Sequence, residues 1–425
     1  MRRRRAAFWL HAAVLVVFIG GSAAPSPLYA RYAREWALGP IEVTAVFAVY
    51  AAAILLTLLI TGSLADHLGT RPVLVAAIVL EIAAMLVFSG AASPAALMAA
   101  RIIQGVATGA TMSAAGAALM AFENPERPTG SLLNSLASPV GLSSGALVSS
   151  LLVGFAPAPS RAVYLAIAAL LVVLGIPLAL HPQTGGALPW TARSLVPQLR
   201  IPATAAKTVA TAMPVGAATW ALGGFYLSLG PAIVRSLTHD PAVIICGLAL
   251  FALFFPAAIA VFAARRWSDR TTMLVGATCL VIGASVTALA VVSGLVLLYF
   301  VGTMVAGCGF GSGYSGALRV TLPLAEPHER AGMFSAVYVI CYLGFSVPAV
   351  AAGALTTVAG LKTTTLVYGA VLVLAAIPAL IANLPATRRP RLPVSTSTSS
   401  LDGYTVRLPR SETRAAMSRA TDGSS

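Results

Sequence analysis

Two strongly polar side chains stand three residues apart in an otherwise apolar stretch, Arg101-Ile102-Ile103-Gln104-Gly105. On a helix, positions i and i+3 share a face, so Arg101 and Gln104 point the same way. A guanidinium in apolar surroundings is costly and is expected to face protein or a water-filled path, where it can act on a proton carrier or a solute. The competing reading is that Arg101 snorkels outward or ties two helices together. Glu81 is the only carboxylate in the middle of any apolar run. A carboxyl group there can carry a proton, or can tie helices as a neutral acid. From the 1.5 Å rise per residue, Glu81 is expected about 12 Å from one membrane edge and Arg101 about 10 Å from the other, so an ion pair needs both long side chains to reach. Tyr50, Asn134, Trp220, Tyr226 and Tyr314 are candidates to line a cavity. Aromatics there would stack on a hydrophobic or cationic solute, and packing between helices accounts for each equally well. Cys246, Cys279, Cys308 and Cys341 lie in apolar runs without CxxC spacing and read as small hydrophobes; no metal or cofactor is expected.

The elements that position these residues follow from composition. The 425 residues carry 27 Lys+Arg and 13 Asp+Glu, a net charge of +14, with 58% hydrophobic and only 9% charged residues. Mean hydropathy is +0.88. So few charges cannot cover the surface of a water-soluble domain, which excludes a soluble enzyme, a disordered scaffold and a collagen-like fibre. Lipid must be the solvent. Twelve apolar runs are long enough to cross it: 7–30, 43–65, 72–92, 94–120, 131–155, 161–181, 206–231, 241–264, 271–292, 294–318, 333–357 and 363–384. Backbone groups in lipid must be satisfied internally, and the alternation of a barrel is absent, so the runs are helices. The first run also has the basic start and small-residue patch of a cleaved signal peptide, the competing reading at that end.

Charge orients the chain. With the N-terminus inside, 21 of the 27 basic residues fall on the inner side, including Arg2 to Arg5 and seven tail arginines, and five fall outside. This asymmetry predicts a multi-pass protein of the inner (plasma) membrane with both termini cytoplasmic. The basic balance does not imply nucleic acid, because no folded polar domain carries it. The halves echo each other at an offset of 203: Glu123, Glu126 and Arg127 match Glu326, Glu329 and Arg330 as E-x-x-E-R, and Asp66 matches Asp269. A duplicated six-helix unit explains this, unless similar inner loops arose independently. The expected organisation is a bundle over 1–181, a cytoplasmic linker over 182–205, a second bundle over 206–384 and a disordered Ser/Thr/Pro/Arg-rich tail over 385–425.

The loop Gly62-Ser63-Leu64-Ala65-Asp66-His67-Leu68-Gly69-Thr70-Arg71 resembles the G-x-L-A-D-R-x-G-R-R/K signature of the major facilitator superfamily. Gly62, Asp66, Gly69 and Arg71 match, while His67 and Thr70 replace residues that are usually basic. Arg101-x-x-Gln104-Gly105 resembles the family's second motif. The resemblance implies an all-α integral membrane fold, twelve transmembrane helices in two pseudo-symmetric six-helix bundles. It implies a gating latch at Gly62, Asp66, Gly69 and Arg71, with Asp269 and Arg270 as a weaker second copy. It also associates Arg101, with Gln104 beside it, with proton transfer or substrate contact. Spans one, four, seven and ten line the family's central path, which favours Trp220, Tyr226 and Tyr314 over Tyr50 and Asn134. Span three is peripheral in the family, which counts against Glu81. Span five carries a degraded form of an antiporter element, Ser138-Pro139-Val140-Gly141 with Gly141-x-x-x-Gly145, and Pro25-Ser26-Pro27 breaks span one.

The function expected is a secondary active transporter without enzymatic activity. It would export small lipophilic organic compounds in exchange for protons, as a monomer in the lipid bilayer with no nucleic-acid partner. No G-x-x-x-x-G-K-[ST] loop is present to bind ATP. The alternatives are an importer or facilitator of a sugar or organic acid and, from another class, a membrane-embedded solute sensor or scaffold.

Overall fold

A computed structural model describes residues 2–61, 67–124, 126, 129–180, 199, 201–238, 243–326 and 329–383. Every regular element among them is helical. Span one runs Arg2–Ala23 and continues through a 3₁₀ turn, Ser26–Leu28, into a short helix, Tyr29–Glu35. Spans two to six are Pro40–Thr61, Thr70–Ser89, Pro94–Phe122, Gly130–Phe155 and Pro159–Leu180. Span seven, Ala203–Ser228, bends by 58° into Gly230–Thr238. Spans eight to ten are Val243–Ala264, Asp269–Ser293 and Val296–Thr321.

The last helix, Arg330–Asn383, is 54 residues long. At 1.5 Å per residue it would extend about 80 Å, against a hydrocarbon core of about 30 Å. Gly360 breaks it with φ 78° and ψ 162°, a conformation open to glycine. The two pieces, 330–359 and 361–383, are spans eleven and twelve, which makes twelve among the described residues. The extensions Tyr29–Glu35 and Gly230–Thr238 go beyond the sequence expectation. Tyr29–Glu35 continues span one as a single 32-residue span, Arg4–Glu35, whereas Gly230–Thr238 follows the bend of 58°.

Local chemistry explains the helix ends. Ser93 caps span four, accepting from the Ala96 N–H at 3.3 Å, with Pro94 in the first turn. Ser268 caps span nine through the Thr271 N–H at 3.1 Å. Glu123, from the repeated acidic motif, accepts the Gly130 N–H at the start of span five at 2.9 Å. Basic side chains serve the opposite ends. Arg4 donates to Ala121 O at the end of span four, Arg319 to Ala264 O at the end of span eight, and Arg270 to Asn383 O at the end of span twelve, at 2.8, 2.8 and 2.9 Å. Arginines at the membrane edge thus satisfy carbonyls that a helix end leaves unpaired.

Lipid gives helices no hydrophobic reason to associate, so close packing must hold them together. Glycine supplies it. A Cβ on Gly145 of span five would collide with the backbone of Gly20 in span one, and one on Gly141 would meet Val16 O at 2.8 Å. Gly105 and Gly109 of span four seat against Tyr50 O and Ile54 O of span two. The glycines of span ten divide among three neighbours, with Gly313 against Thr219 and Val215 of span seven. Gly302 and Gly309 face span nine, while Gly307 and Gly311 would collide with Leu253 O and Ala257 O of span eight.

Spans of the first six also meet spans of the last six. Gly353 of span eleven abuts Thr44 and Pro40 of span two, and Gly247 of span eight abuts Ser150 and Ala146 of span five. Both contacts lie at the end of the molecule opposite the chain's start. Nearer the middle, Phe47 packs on Phe345 at 4.7 Å, and Tyr342 donates to Met112 Sδ at 3.3 Å.

Candidate functional site

Span one is interrupted where Pro25 and Pro27 remove backbone donors. Pro25 has no N–H to close the helical bond to Gly21 O, which takes the Ala24 N–H at 3.3 Å instead, and the carbonyls near this break stay open to side-chain donors. Side chains from other spans supply them. Gln104 Nε2 donates to Gly21 O at 3.1 Å, Arg101 NH1 to Ser22 O at 3.0 Å, and Ser149 Oγ to Ala24 O at 2.6 Å. The break therefore serves as the anchor of a buried polar cluster.

Arg101, Gln104 and Glu81 are fully buried. The guanidinium donates to Gln104 Oε1 at 2.7 Å from NH1 and to the Tyr29 hydroxyl at 3.0 Å from Nε, with NH2 reaching the same hydroxyl. Its central carbon lies 5.0, 5.6 and 5.7 Å from the ring centroids of Tyr50, Tyr29 and Phe88, within the range of cation–π attraction. Gln104 Nε2 also donates to Glu81 Oε1 at 3.0 Å. Arg101 and Glu81 are thus joined through the Gln104 amide, in place of the direct pair that their spacing left open. Glu81 Oε2 has no hydrogen-bond partner among the described residues. Arg101 faces protein and does not snorkel. Glu81, expected on a peripheral span, faces inward, because span three packs against span four and presents Glu81 to Gln104 and to Gly21.

The expected aromatic residues separate into different settings. Trp220 and Tyr314 come together at 5.4 Å, edge to face, and Trp220 also meets Tyr342 at 4.8 Å and Phe345 at 5.7 Å. Tyr342, Phe345 and Phe47, which the sequence does not single out, join this group. Tyr226 lies elsewhere, bonded to Thr303 Oγ1 at 2.9 Å and Thr287 Oγ1 at 3.4 Å between spans nine and ten. Tyr50 belongs to the arginine cage. Asn134 is exposed, with Oδ1 beside Gly116 of span four. Gly62 and Asp66 of the expected latch lie outside the described residues. Gly69 sits at φ 86° and opens span three, and Arg71 is in that helix's first turn. Asp269 opens span nine, and Arg270 holds the end of span twelve.

The family model described as Major Facilitator Superfamily matches residues 10–229, just over half of the chain and all of the polar cluster. The chain belongs to the Major Facilitator Superfamily. Solved structures of this superfamily share its fold. The nucleoside transporter NupG has a TM-score of 0.65 and 16% identity, covering 91% of this chain and 100% of that one. A bacterial homolog of the human lysosomal transporter Spinster, inward-facing and unoccupied, scores 0.72 at 13% identity and covers 90% and 97%. A POT family transporter in complex with 5-aminolevulinic acid scores 0.71 at 12% identity and covers 90% and 96%. No curated protein sequence matches the chain.

As a member of this superfamily, the protein is a multi-pass membrane transporter. Its buried cluster has a defined chemical capacity. Arg101 holds span four to the broken end of span one with charge-assisted hydrogen bonds. Gln104 passes that arrangement on to Glu81, which keeps one carboxyl oxygen for a further partner. That oxygen can take a proton or a cationic group. Tyr29 is a member of the cluster that sequence reasoning does not reach; its one signal is its position two residues after Pro27, at the restart of a broken helix.

Proposed function

We propose that this transporter is a proton-coupled exporter of small lipophilic organic compounds, working by alternating access. Glu81 carries the coupled proton, and Arg101 and Gln104 transmit its state to the broken end of span one. The carrying observation is the unpartnered Oε2 of a fully buried carboxyl group joined to Arg101 by a single amide. Protonation neutralises Glu81 and alters its bond with Gln104, which shares its other contacts with Gly21 O and Arg101. Two packings of the spans differ in just such contacts.

The working unit is a monomer of two six-helix bundles, 1–181 and 206–384, with a linker over 182–205 and a tail over 385–425. It sits in the inner (plasma) membrane with both termini cytoplasmic. The Gly353 and Gly247 seats close the side opposite the termini, and the latch at Gly62, Asp66, Gly69 and Arg71, with Asp269 and Arg270, acts on the side of the termini. The Trp220–Tyr314–Tyr342 group supplies an aromatic surface for a lipophilic solute, which supports such cargo over a sugar.

Expression in cells stripped of their own efflux pumps, scored against a panel of toxic lipophilic compounds, tests the reading. Increased tolerance that Arg101→Ala abolishes is expected. Increased sensitivity would show uptake, and no change across the panel would favour a sensor or scaffold.

A further inference from the structure

Spans one, five and six line a groove of about 180 Å³, with Gly20 and Gly21 among its lining residues. Val148 and Leu170 on its rim are 52% and 45% exposed, so it opens sideways, toward the lipid-facing surface. Its lining is apolar apart from Ser144 and Ser149, whose hydroxyls already donate to Val140 O and Ala24 O. The groove exists because glycine draws spans one and five together at Gly20 and Gly145, leaving no side chain in the space beside them. Gly21 lines the groove and also borders the buried polar cluster. A Cβ there would stand 3.2 Å from Glu81 Oε1, 3.8 Å from Gln104 Nε2 and 3.6 Å from Ile167 Cγ2. Ile167 itself lines the groove. An apolar slot open to lipid is therefore separated from a buried, half-satisfied carboxyl group by a glycine and one isoleucine side chain.

We propose that this groove is a cargo site for single-chain lipophilic amines, entered from the membrane. The alkyl part lies along Val16, Val148 and Leu170. The ammonium passes Ile167 to the Glu81 carboxyl group, whose Oε1 faces Gly21 and already accepts from Gln104, and pairs with it through the remaining oxygen, Oε2. Charge complementarity selects the occupant: an ammonium satisfies both the charge and the unmet acceptor, whereas a neutral alcohol or a carboxylate does not. Size selects it as well, since about 180 Å³ holds part of one chain and not a two-chain phospholipid. This inference rests on the exporter reading and adds to it a cargo class and a route of entry.

The test uses the full chain in phosphatidylcholine nanodiscs and a dodecylamine carrying a photoreactive diazirine at its chain end, with labelled peptides located by mass spectrometry. Labels are expected within 16–21, 144–152 or 163–170. Unlabelled dodecylamine should compete at least tenfold better than dodecanol, and Glu81→Gln should reduce that preference below twofold. Val148→Trp, at the exposed rim where folding is tolerant, should block labelling; so should Gly21→Val. Labels confined to the Trp220–Tyr314 group, or equal competition by amine and alcohol, would overturn the proposal. So would equal labelling by a diazirine phosphatidylethanolamine, which would make the groove a lipid seat. The assay needs no gradient and no flux. Loss of labelling in a protein that still exports removes the groove site alone, and labelling without proton-linked flux removes the exporter reading alone.

Discussion

Gly20 and Gly21 in span one have counterparts 203 residues later in span seven, Gly223 and Gly224, and Gly141 in span five has Gly344 in span eleven. The packing is shared too. Gly141 seats against Val16 O and Gly20, and Gly344 seats against Ala217 O at 3.0 Å. The chemistry is not shared. At the same offset, Glu81, Arg101 and Gln104 correspond to Ala284, Met304 and Gly307. Ala284 is buried among apolar neighbours, Met304 is 45% exposed, and Gly307 packs on Leu253 O. The two regions show that close glycine seams belong to the scaffold, wherever two spans must touch. The charged cluster is confined to one region; at the matching places of the other stand a buried alanine, a close-packed glycine and a partly exposed methionine.

Removing the charge from the region that has it should have the largest effect. Arg101→Ala leaves Gln104, Tyr29 and Ser22 O without their donor and should lower flux to below about a hundredth of wild type, corresponding to about 3 kcal/mol. Flux per molecule of inserted protein in proteoliposomes measures this, and wild-type flux would contradict the assignment.

Placing the charge on the other side should not create a second site. Met304→Arg sets a guanidinium at a partly lipid-exposed position, at a cost of about 3 kcal/mol on insertion scales. The amount of protein in the membrane should fall, and the specific flux of what remains should stay unchanged.

The seams themselves should respond alike in both regions. Gly145→Val and Gly224→Val each force a side chain into a neighbouring backbone and should destabilise by about 1–3 kcal/mol, read as a lowered thermal midpoint in detergent. Gly154→Val, with nothing within 4 Å, should leave the midpoint unmoved. Unequal losses at Gly145 and Gly224 would show that the seams are not equivalent. Tyr29→Phe, which takes away one hydroxyl accepting from Arg101, should cost about 1–2 kcal/mol on transport, less than Arg101→Ala, read as flux per molecule of inserted protein.

Much of this architecture is legible in the sequence, because the bilayer imposes length and polarity on each span. The twelve runs agree with the twelve helical pieces to within a few residues along most of their lengths. The isolated charges in lipid, Arg101 and Glu81, stand out for the same reason. Orientation about the helix axes is not legible. Glu81 is expected on a peripheral span, and only its facing toward span four brings it to Gln104. The bridging amide and the role of Tyr29 depend on carbonyls freed by Pro25 and Pro27, a local break whose partners lie dozens of residues away. Trp220 and Tyr314 can be picked out but Tyr342 and Phe345 cannot, since an aromatic in an apolar run has no marker to distinguish contact with a solute from contact with a neighbour.

Proton coupling through Glu81 makes a sharp demand on its amide variant. Transport of a lipophilic compound by proteoliposomes, with and without an imposed pH gradient, tests it most directly when wild type is compared with Glu81→Gln. Wild type should drive the compound against its own gradient when protons flow the other way, while Glu81→Gln should pass it only downhill and at the same rate with or without the pH gradient. A Glu81→Gln protein that still concentrates the compound in response to the pH gradient would contradict the account.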